Sequence, residues 1–143
     1  MTHQYLLDSG PLAAYLLGRG YAVSAIAPWV VQGEAATSIL VYGEVAEYFK
    51  GMQNYDLLHQ QLRKLLQVVP PLTLTYDILD RFVDLRRTLR HPYGSGLIGD
   101  MDTLIAATAL EYGIPVVTNN VRHFARIPGL DVIDFDKYEE AAA

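Results

Sequence analysis

The segment from Gly99 to Leu110, GDMDTLIAATAL, restricts the possible folds of this 143-residue chain more than any other stretch. Two aspartates open it, and the residues that follow Asp102 are apolar on nearly every side of a predicted helix. A helix without a polar face is buried all round, so it needs packed structure on each side. The segment therefore predicts a layered domain in which this helix lies near the centre.

Short apolar runs alternate with helical patterns along the rest of the chain. We predict strands at 4–7, 34–40, 114–120 and 130–135, and helices at 10–18, 22–33, 41–50, 54–67, 76–90, 101–112 and 121–127. The segments VVPPLTLT and HPYGSGLIG are predicted to be an extended connector and a glycine-rich loop. Strands separated by helices form parallel sheets that helices cover on both faces.

The predicted fold class is α/β, a three-layer sandwich with a short, mostly parallel central sheet of about four to five strands flanked by helices. The chain length fits one domain, which we assign to residues 1–136, followed by a C-terminal tail at 137–143.

The composition excludes several classes of protein. The chain has no cysteine, so disulfides and thiolate metal sites are absent and a reducing cytoplasm is expected. Its N-terminus lacks the features of a signal peptide, and its longest apolar run, at 21–31, is too short to cross a bilayer. The net charge of −5 argues against non-specific adhesion to nucleic acid, although local patches still allow a nucleic-acid substrate.

Acidic residues follow the predicted strands at the edge where parallel sheets place their sites. Asp8 ends the first strand, and Glu44 lies one turn into the helix after the second. Asp100 and Asp102 open the apolar helix, and Asn119 ends the strand that comes after it. Clustered carboxylates repel one another, so we expect them to share a hard divalent cation, Mg²⁺ or Mn²⁺.

Each acid also has an ordinary interpretation. Asp8 is typical of a strand end or a helix cap, Asp100 or Asp102 of an N-cap, and Glu44 of a solvated helix. Only their joint position at the strand ends indicates a site. A phosphohydrolase using the DMD motif is disfavoured because its nucleophilic aspartate should end a strand.

Three blocks of sequence, YLLDSGPLAAYL, TSILVYGEVAEYF and GDMDTLIAATALEYGIPVVTNNVRHFARIPGLDVIDF, resemble the PIN-domain family, and within it the VapC-type ribonuclease toxins. The likeness runs from residue 4 to residue 135. It implies a Mg²⁺- or Mn²⁺-dependent endoribonuclease, and a protein antitoxin similar to VapB as its partner. The alternative is a PIN-like module that binds RNA or protein without cleaving.

The resemblance implies that Asp8, Glu44 and Asp102 bind the metal. Asn119 and Thr118 match a polar position that in the family is hydrogen-bonded to an acid of the centre. Many members carry a fourth acid after this segment, where TNNVRHF has an asparagine and a histidine instead. Asp100 is an extra acid that could compensate, and we expect one bound ion. The predicted catalytic residues are therefore Asp8, Glu44, Asp102, Asp100 and Asn119.

RNA needs cations near an acidic centre. The candidates are Arg86, Arg87 and Arg90 before the glycine-rich loop, and Arg122, His123 and Arg126 after the fourth strand; Thr118 is a further substrate-binding candidate. The alternative for the arginines is a solvated helix face. Four aromatic residues are candidates for a homodimer or antitoxin surface, with burial in the core as the alternative: Tyr15, Tyr48, Phe49 and Tyr55.

Overall fold

The computed structural model of the protein describes residues 3–93 and 99–143, without the side chains of residues 90–93. Its sheet has five strands in the order β3-β2-β1-β4-β5, all parallel. The strands are β1 (Tyr5–Leu7), β2 (Ala35–Ser38), β3 (Pro71–Leu72), β4 (Val116–Thr118) and β5 (Val132–Asp134). The predicted α/β fold with a short parallel sheet is confirmed.

Helices connect the strands. They are α1 (Ser9–Leu16), α2 (Gly20–Val31), α3 (Ile39–Lys50), α4 (Tyr55–Leu65), α5 (Tyr76–Tyr93), α6 (Asp100–Tyr112), α7 (Val121–Phe124) and α8 (Asp136–Ala142). Over the described ranges, no helix combines the length and apolar character needed to cross a membrane.

The strand order reverses between β1 and β4. From β1 the chain moves outward to β2 and β3, then returns across the sheet to β4 and on to β5. Crossovers between parallel strands are right-handed as a rule, so we expect the helices that precede β3 and those that follow it to cover opposite faces of the sheet. A crevice therefore opens where β1 and β4 end, which is the position at which parallel α/β sheets bind their ligands.

Helix α6 lies in the centre of the domain, as its sequence predicts. The residues from Ile105 to Ala109 are buried, and Gly113 ends the helix in the left-handed conformation at φ +65°. The hydroxyls of Thr103 and Thr108 donate hydrogen bonds to backbone carbonyls one turn earlier, at 2.9 Å and 2.8 Å. The polar atoms in the buried run are thereby satisfied.

Three segments differ from the predictions. The connector at 68–75 contains β3, a two-residue strand that begins with a proline at the sheet edge, where a missing N–H is tolerated. Helix α5 extends into the predicted loop as far as Tyr93, and residues 94–98 of that loop lie outside the described residues. Helix α8 occupies the predicted tail, and its Tyr138 ring packs edge-on against Trp29.

Candidate metal centre

Asp8 comes directly after β1, at the point where the strand order reverses. Asp8 is 6% exposed and occupies the N-cap position of α1, which begins at the next residue. One carboxylate oxygen, Oδ2, accepts a hydrogen bond of 2.7 Å from the Thr118 hydroxyl. The other, Oδ1, is buried without a hydrogen-bond partner. Burial raises the pKa of Asp8, hydrogen bonds from Thr118 and Ser9 lower it in part, and the charge of Asp102 raises it further.

Thr118 is the last residue of β4, the strand next to β1, and its hydroxyl holds the Asp8 carboxylate in position. It is fully buried, and its hydroxyl oxygen also accepts a hydrogen bond of 2.9 Å from the backbone N–H of Asn120. The Thr118 side chain has no solvent exposure and is used in holding Asp8, so the structure gives no support to its predicted contact with RNA. The hydrogen bond to an acid of the centre, which the resemblance implies for this position, is present.

Glu44 reaches the same region from the second turn of α3. Burial is the largest cause of its raised pKa, followed by the charges of Asp8, Asp102 and Glu47, and together they raise the pKa of Glu44 to about 7. Its Oε1 atom is buried without a hydrogen-bond partner. A cleft of about 620 Å³ between α1 and α3 opens beside it, so solvent and ligands can reach the carboxylate.

Asp102, in the first turn of α6, is held by two residues that follow β4. Its Oδ2 lies 3.1 Å from His123 Nδ1 and accepts a weak hydrogen bond of 3.5 Å from the Asn120 side-chain amide. The Nδ1 atom of His123 lies 2.8 Å from the side-chain Nδ2 atom of Asn120. His123 is predicted from the sequence as an RNA-binding cation, and its contact with Asp102 is not predicted. Asn120 and His123 are three residues apart, which puts them on one side of a helical turn. This spacing is the feature of the sequence that indicates a shared contact.

The three acids share one electrostatic environment but do not form a complete coordination shell. The charges of Asp8 and Asp102 act on Glu44, and that of Asp102 acts on Asp8. Among the residues that the structure describes, no three histidine or acidic side chains lie close enough to hold a metal by themselves. Two of the acids nevertheless present buried oxygens that lack any partner. Such atoms fit a hard cation that keeps several waters as ligands.

Two of the predicted catalytic residues do not join this group. The Asp100 carboxylate is 67% exposed and lies 3.5 Å from Arg86 Nε, so the structure does not support compensation for a missing acid. The Asn119 amide donates a hydrogen bond of 2.6 Å to Asp136 in an exposed position. Gly99 precedes α6 at its N-cap position, and neither Asp100 nor Asp102 caps the helix.

The predicted RNA-binding arginines differ in their availability. Arg86 is paired with Asp100 and lies over the Phe82 ring, with 5.6 Å between the guanidinium carbon and the ring centroid. Arg87 and Arg122 are exposed. The side chain of Arg90 falls outside the described residues.

The four aromatic residues predicted for a partner surface differ in their solvent exposure. Phe49 is fully buried in the core, as the alternative for these residues holds. Tyr48 is 56% exposed at the cleft beside Glu44. Tyr15 and Tyr55 are half-buried against the core.

Gly10, in the first turn of α1, permits the close approach of Asn119. A Cβ atom at position 10 would lie 2.2 Å from Asn119 Oδ1. We expect Gly10→Ala to destabilise the protein by about 0.5 kcal/mol, because the hydrogen bond from Asn119 to Asp136 that is given up contributes about 1 kcal/mol and the gain in helix propensity offsets about half of it. In an Asn119→Ala background the same change should stabilise by about 0.5 kcal/mol through helix propensity. Chemical denaturation of the four proteins measures this sign reversal; equal effects in both backgrounds would contradict the contact.

Similarity to known proteins agrees with this geometry. The PIN domain family model matches residues 5–130. Ribonuclease VapC of Rickettsia bellii is 53% identical over 36 residues, which are 25% of this chain and 27% of that protein. The match thus spans about a quarter of the relative's length.

Two solved structures resemble the whole domain. VapBC-1 of nontypeable Haemophilus influenzae is 26% identical with a TM-score of 0.75, covering 92% of this chain and 98% of that chain. A toxin–antitoxin complex from Klebsiella pneumoniae is 27% identical with a TM-score of 0.70, covering 91% and 96%.

Proposed function

The chain belongs to the PIN domain family, and from this we propose that it is a divalent-metal-dependent endoribonuclease, the toxin of a toxin–antitoxin pair. The observation that carries the proposal is the pair of buried, unpartnered oxygens on Asp8 and Glu44, in the field of Asp102. Carboxylates that repel one another in this way are stabilised in their charged form when a cation neutralises them.

Asp8, Glu44 and Asp102 would hold Mg²⁺ or Mn²⁺, which when bound activates water and stabilises charge on the displaced phosphate. Thr118 fixes Asp8 through its hydroxyl, so one carboxylate oxygen is anchored and the other remains free. His123 and Asn120 contact only one oxygen of Asp102, Oδ2. The exposed Arg87 and Arg122 are available to RNA phosphates.

The proposal extends to partners and organisation. The similar structures are VapBC-1 of Haemophilus influenzae and a toxin–antitoxin complex from Klebsiella pneumoniae, and from these names we propose a VapB-like antitoxin as the partner of this chain. A homodimer is a separate proposal, which these names do not address. Residues 1–136 would be the nuclease domain and 137–143 its C-terminal extension. The lack of cysteine supports a cytoplasmic location.

Incubation of the purified protein with structured and unstructured RNAs tests the activity. We expect cleavage with Mg²⁺ or Mn²⁺ and none with chelator, with recovery when the metal is restored. Cleavage that persists in chelator would overturn the metal requirement. RNA binding without cleavage at any metal concentration would favour the alternative, a non-catalytic PIN-like binding module.

The Thr118→Val variant tests whether the Thr118 hydroxyl lowers the pKa of Asp8 and so favours the ionised form that binds metal. The change removes the hydroxyl that donates to Asp8, so the pKa of Asp8 should rise further and the pH at which cleavage is half-maximal should move upward. We expect a stability loss of about 2 kcal/mol from the unpaired groups. Thr108→Val is the matched control: it removes another buried hydroxyl, on α6, and should leave the pH profile in place. Equal profiles for both variants would contradict the role of Thr118.

A further inference from the structure

A ladder of cations and aromatic rings runs along the hairpin formed by α3 and α4. Lys50 Nζ lies 4.3 Å from the centroid of the Tyr55 ring, which stacks on His59 with 5.3 Å between centroids. His59 Nε2 is hydrogen-bonded to the Tyr42 hydroxyl at 3.1 Å. The guanidinium carbon of Arg63 lies 5.9 Å from the Tyr42 ring centroid. The ladder therefore begins and ends with a positive charge.

These cations are positioned without being neutralised. In the part of the chain that the structure describes, the ion pairs of Arg81 and Arg86 involve carboxylates, whereas no ion pair involves Lys50, Arg63 or Lys64. A ring face attracts a cation through its quadrupole and leaves the net charge intact. Lys50, Arg63 and Lys64 are all exposed, and we refer to these three residues as the α3–α4 cation surface.

The surface reaches the edge of the sheet where the acids lie. Arg63 and Lys64 line a cleft of about 710 Å³ that also includes Ile39 and Pro71. Ile39 directly follows β2, and β2 pairs in parallel with β1, which ends just before Asp8. The exposed amides of Gln60 and Gln67 add hydrogen-bond donors to the same cleft.

We propose that the α3–α4 cation surface binds the phosphate backbone of single-stranded RNA at a distance from the cleaved bond. This inference rests on the proposed ribonuclease function and adds a substrate subsite to it. Tyr55 and Arg63 are eight residues apart on α4, about 12 Å along the helix, so the surface extends over more than one phosphate. The ring faces are already covered by cations, so the contact is with phosphate and does not select bases.

The test is the affinity of a fluorescein-labelled 12-nucleotide RNA, measured by anisotropy in an Asp102→Asn background so that the RNA stays intact. We expect Arg63→Gln combined with Lys64→Gln to raise Kd at least about fivefold and to lower the salt slope by about 0.7 for each phosphate that is no longer neutralised. The charge-matched control combines Arg81→Gln with Lys137→Gln, two exposed cations away from the cleft, and should change Kd less than about twofold.

Equal changes in Kd for both double variants would overturn the proposal, since net charge alone would then explain them. Absence of RNA binding by the Asp102→Asn parent would also overturn it. A shift in oligomeric state by light scattering, with RNA affinity unchanged, would assign the surface to a second copy of the chain and reject RNA. Cleavage by the wild-type protein is measured separately, so failure of the nuclease function and failure of the subsite are distinguishable.

Discussion

Asp102→Asn is expected to lower RNA cleavage by about 10³-fold, because the proposed function makes Asp102 a metal ligand, and the loss of one ligand removes several kcal/mol of transition-state stabilisation. The substitution is isosteric, and an amide still accepts through its oxygen from His123 and Asn120. We therefore expect the melting temperature to change by less than about 3 °C. A single-turnover cleavage assay with saturating Mg²⁺, beside a thermal melt, measures both quantities.

The control for this variant is Asp77→Asn, an exposed aspartate in the first turn of α5, which should cleave at the wild-type rate. A cleavage rate for Asp102→Asn within tenfold of wild type would remove Asp102 from the centre. Loss of cleavage together with loss of the folded state would be resolved by Asp8→Asn and Glu44→Gln, both of which should also be inactive.

Glu44→Gln is expected to abolish cleavage and yet to stabilise the metal-free protein at pH 8. The pKa of Glu44 is raised from 4.5 to about 7, so the neutral carboxyl is favoured in the folded state. Its contribution to stability is fully present below pH 4.5 and is lost as the pH rises through about 7. Each pKa unit corresponds to about 1.4 kcal/mol, and partial solvent access reduces the total, so we expect a gain of about 2 kcal/mol at pH 8.

Melting of the metal-free proteins at pH 5 and pH 8 measures this effect. The variant should melt about 5 °C above wild type at pH 8, and the difference should shrink at pH 5, where the wild-type carboxyl is protonated. Glu47→Gln, one turn later on the exposed side of α3, should gain less than half as much and should remain active. A variant that is less stable than wild type at both pH values would contradict the repulsion among these acids.

Added Mg²⁺ or Mn²⁺ should reverse the order of melting temperatures at pH 8, so that wild type melts above Glu44→Gln. Metal binds only the carboxylate form, so it should raise the melting temperature of wild type more at pH 8 than at pH 5 and have little effect on Glu44→Gln. Equal shifts in the two proteins would show that the cation binds elsewhere.

Much of the fold followed from hydrophobic pattern alone. The run after Asp102 is apolar on nearly every side, which predicts a central helix, and the alternation of strands and helices around it predicts a parallel sheet. The two elements that were missed are short or lack an apolar pattern. Strand β3 has two residues and starts with Pro71, and α8 has no buried residue. Their formation depends on neighbours in space, the edge of β2 and the aromatic rings of α2, which sequence pattern does not encode.

The sequence was sufficient to predict which strand ends carry the acidic residues of the site. Resemblance and position at the strand ends selected Asp8, Glu44 and Asp102, and in the structure the charge of Asp102 acts on Asp8 and the charges of both act on Glu44. The directions of neighbouring side chains were not predictable. Asp100 is only two positions from Asp102, which turns it to a different side of α6 and toward Arg86. Thr118 lies under Asp8 because β4 pairs with β1, a contact between residues 110 positions apart.

The most direct test of the metal centre is calorimetric titration of Mn²⁺ into the metal-free protein at pH 8. Wild type should bind one ion per chain, and Asp8→Asn should bind it more than about 100-fold more weakly, since even outer residues of metal sites contribute 10–100-fold. Equal Mn²⁺ affinity in wild type and Asp8→Asn would show that the buried carboxylates do not form a metal site.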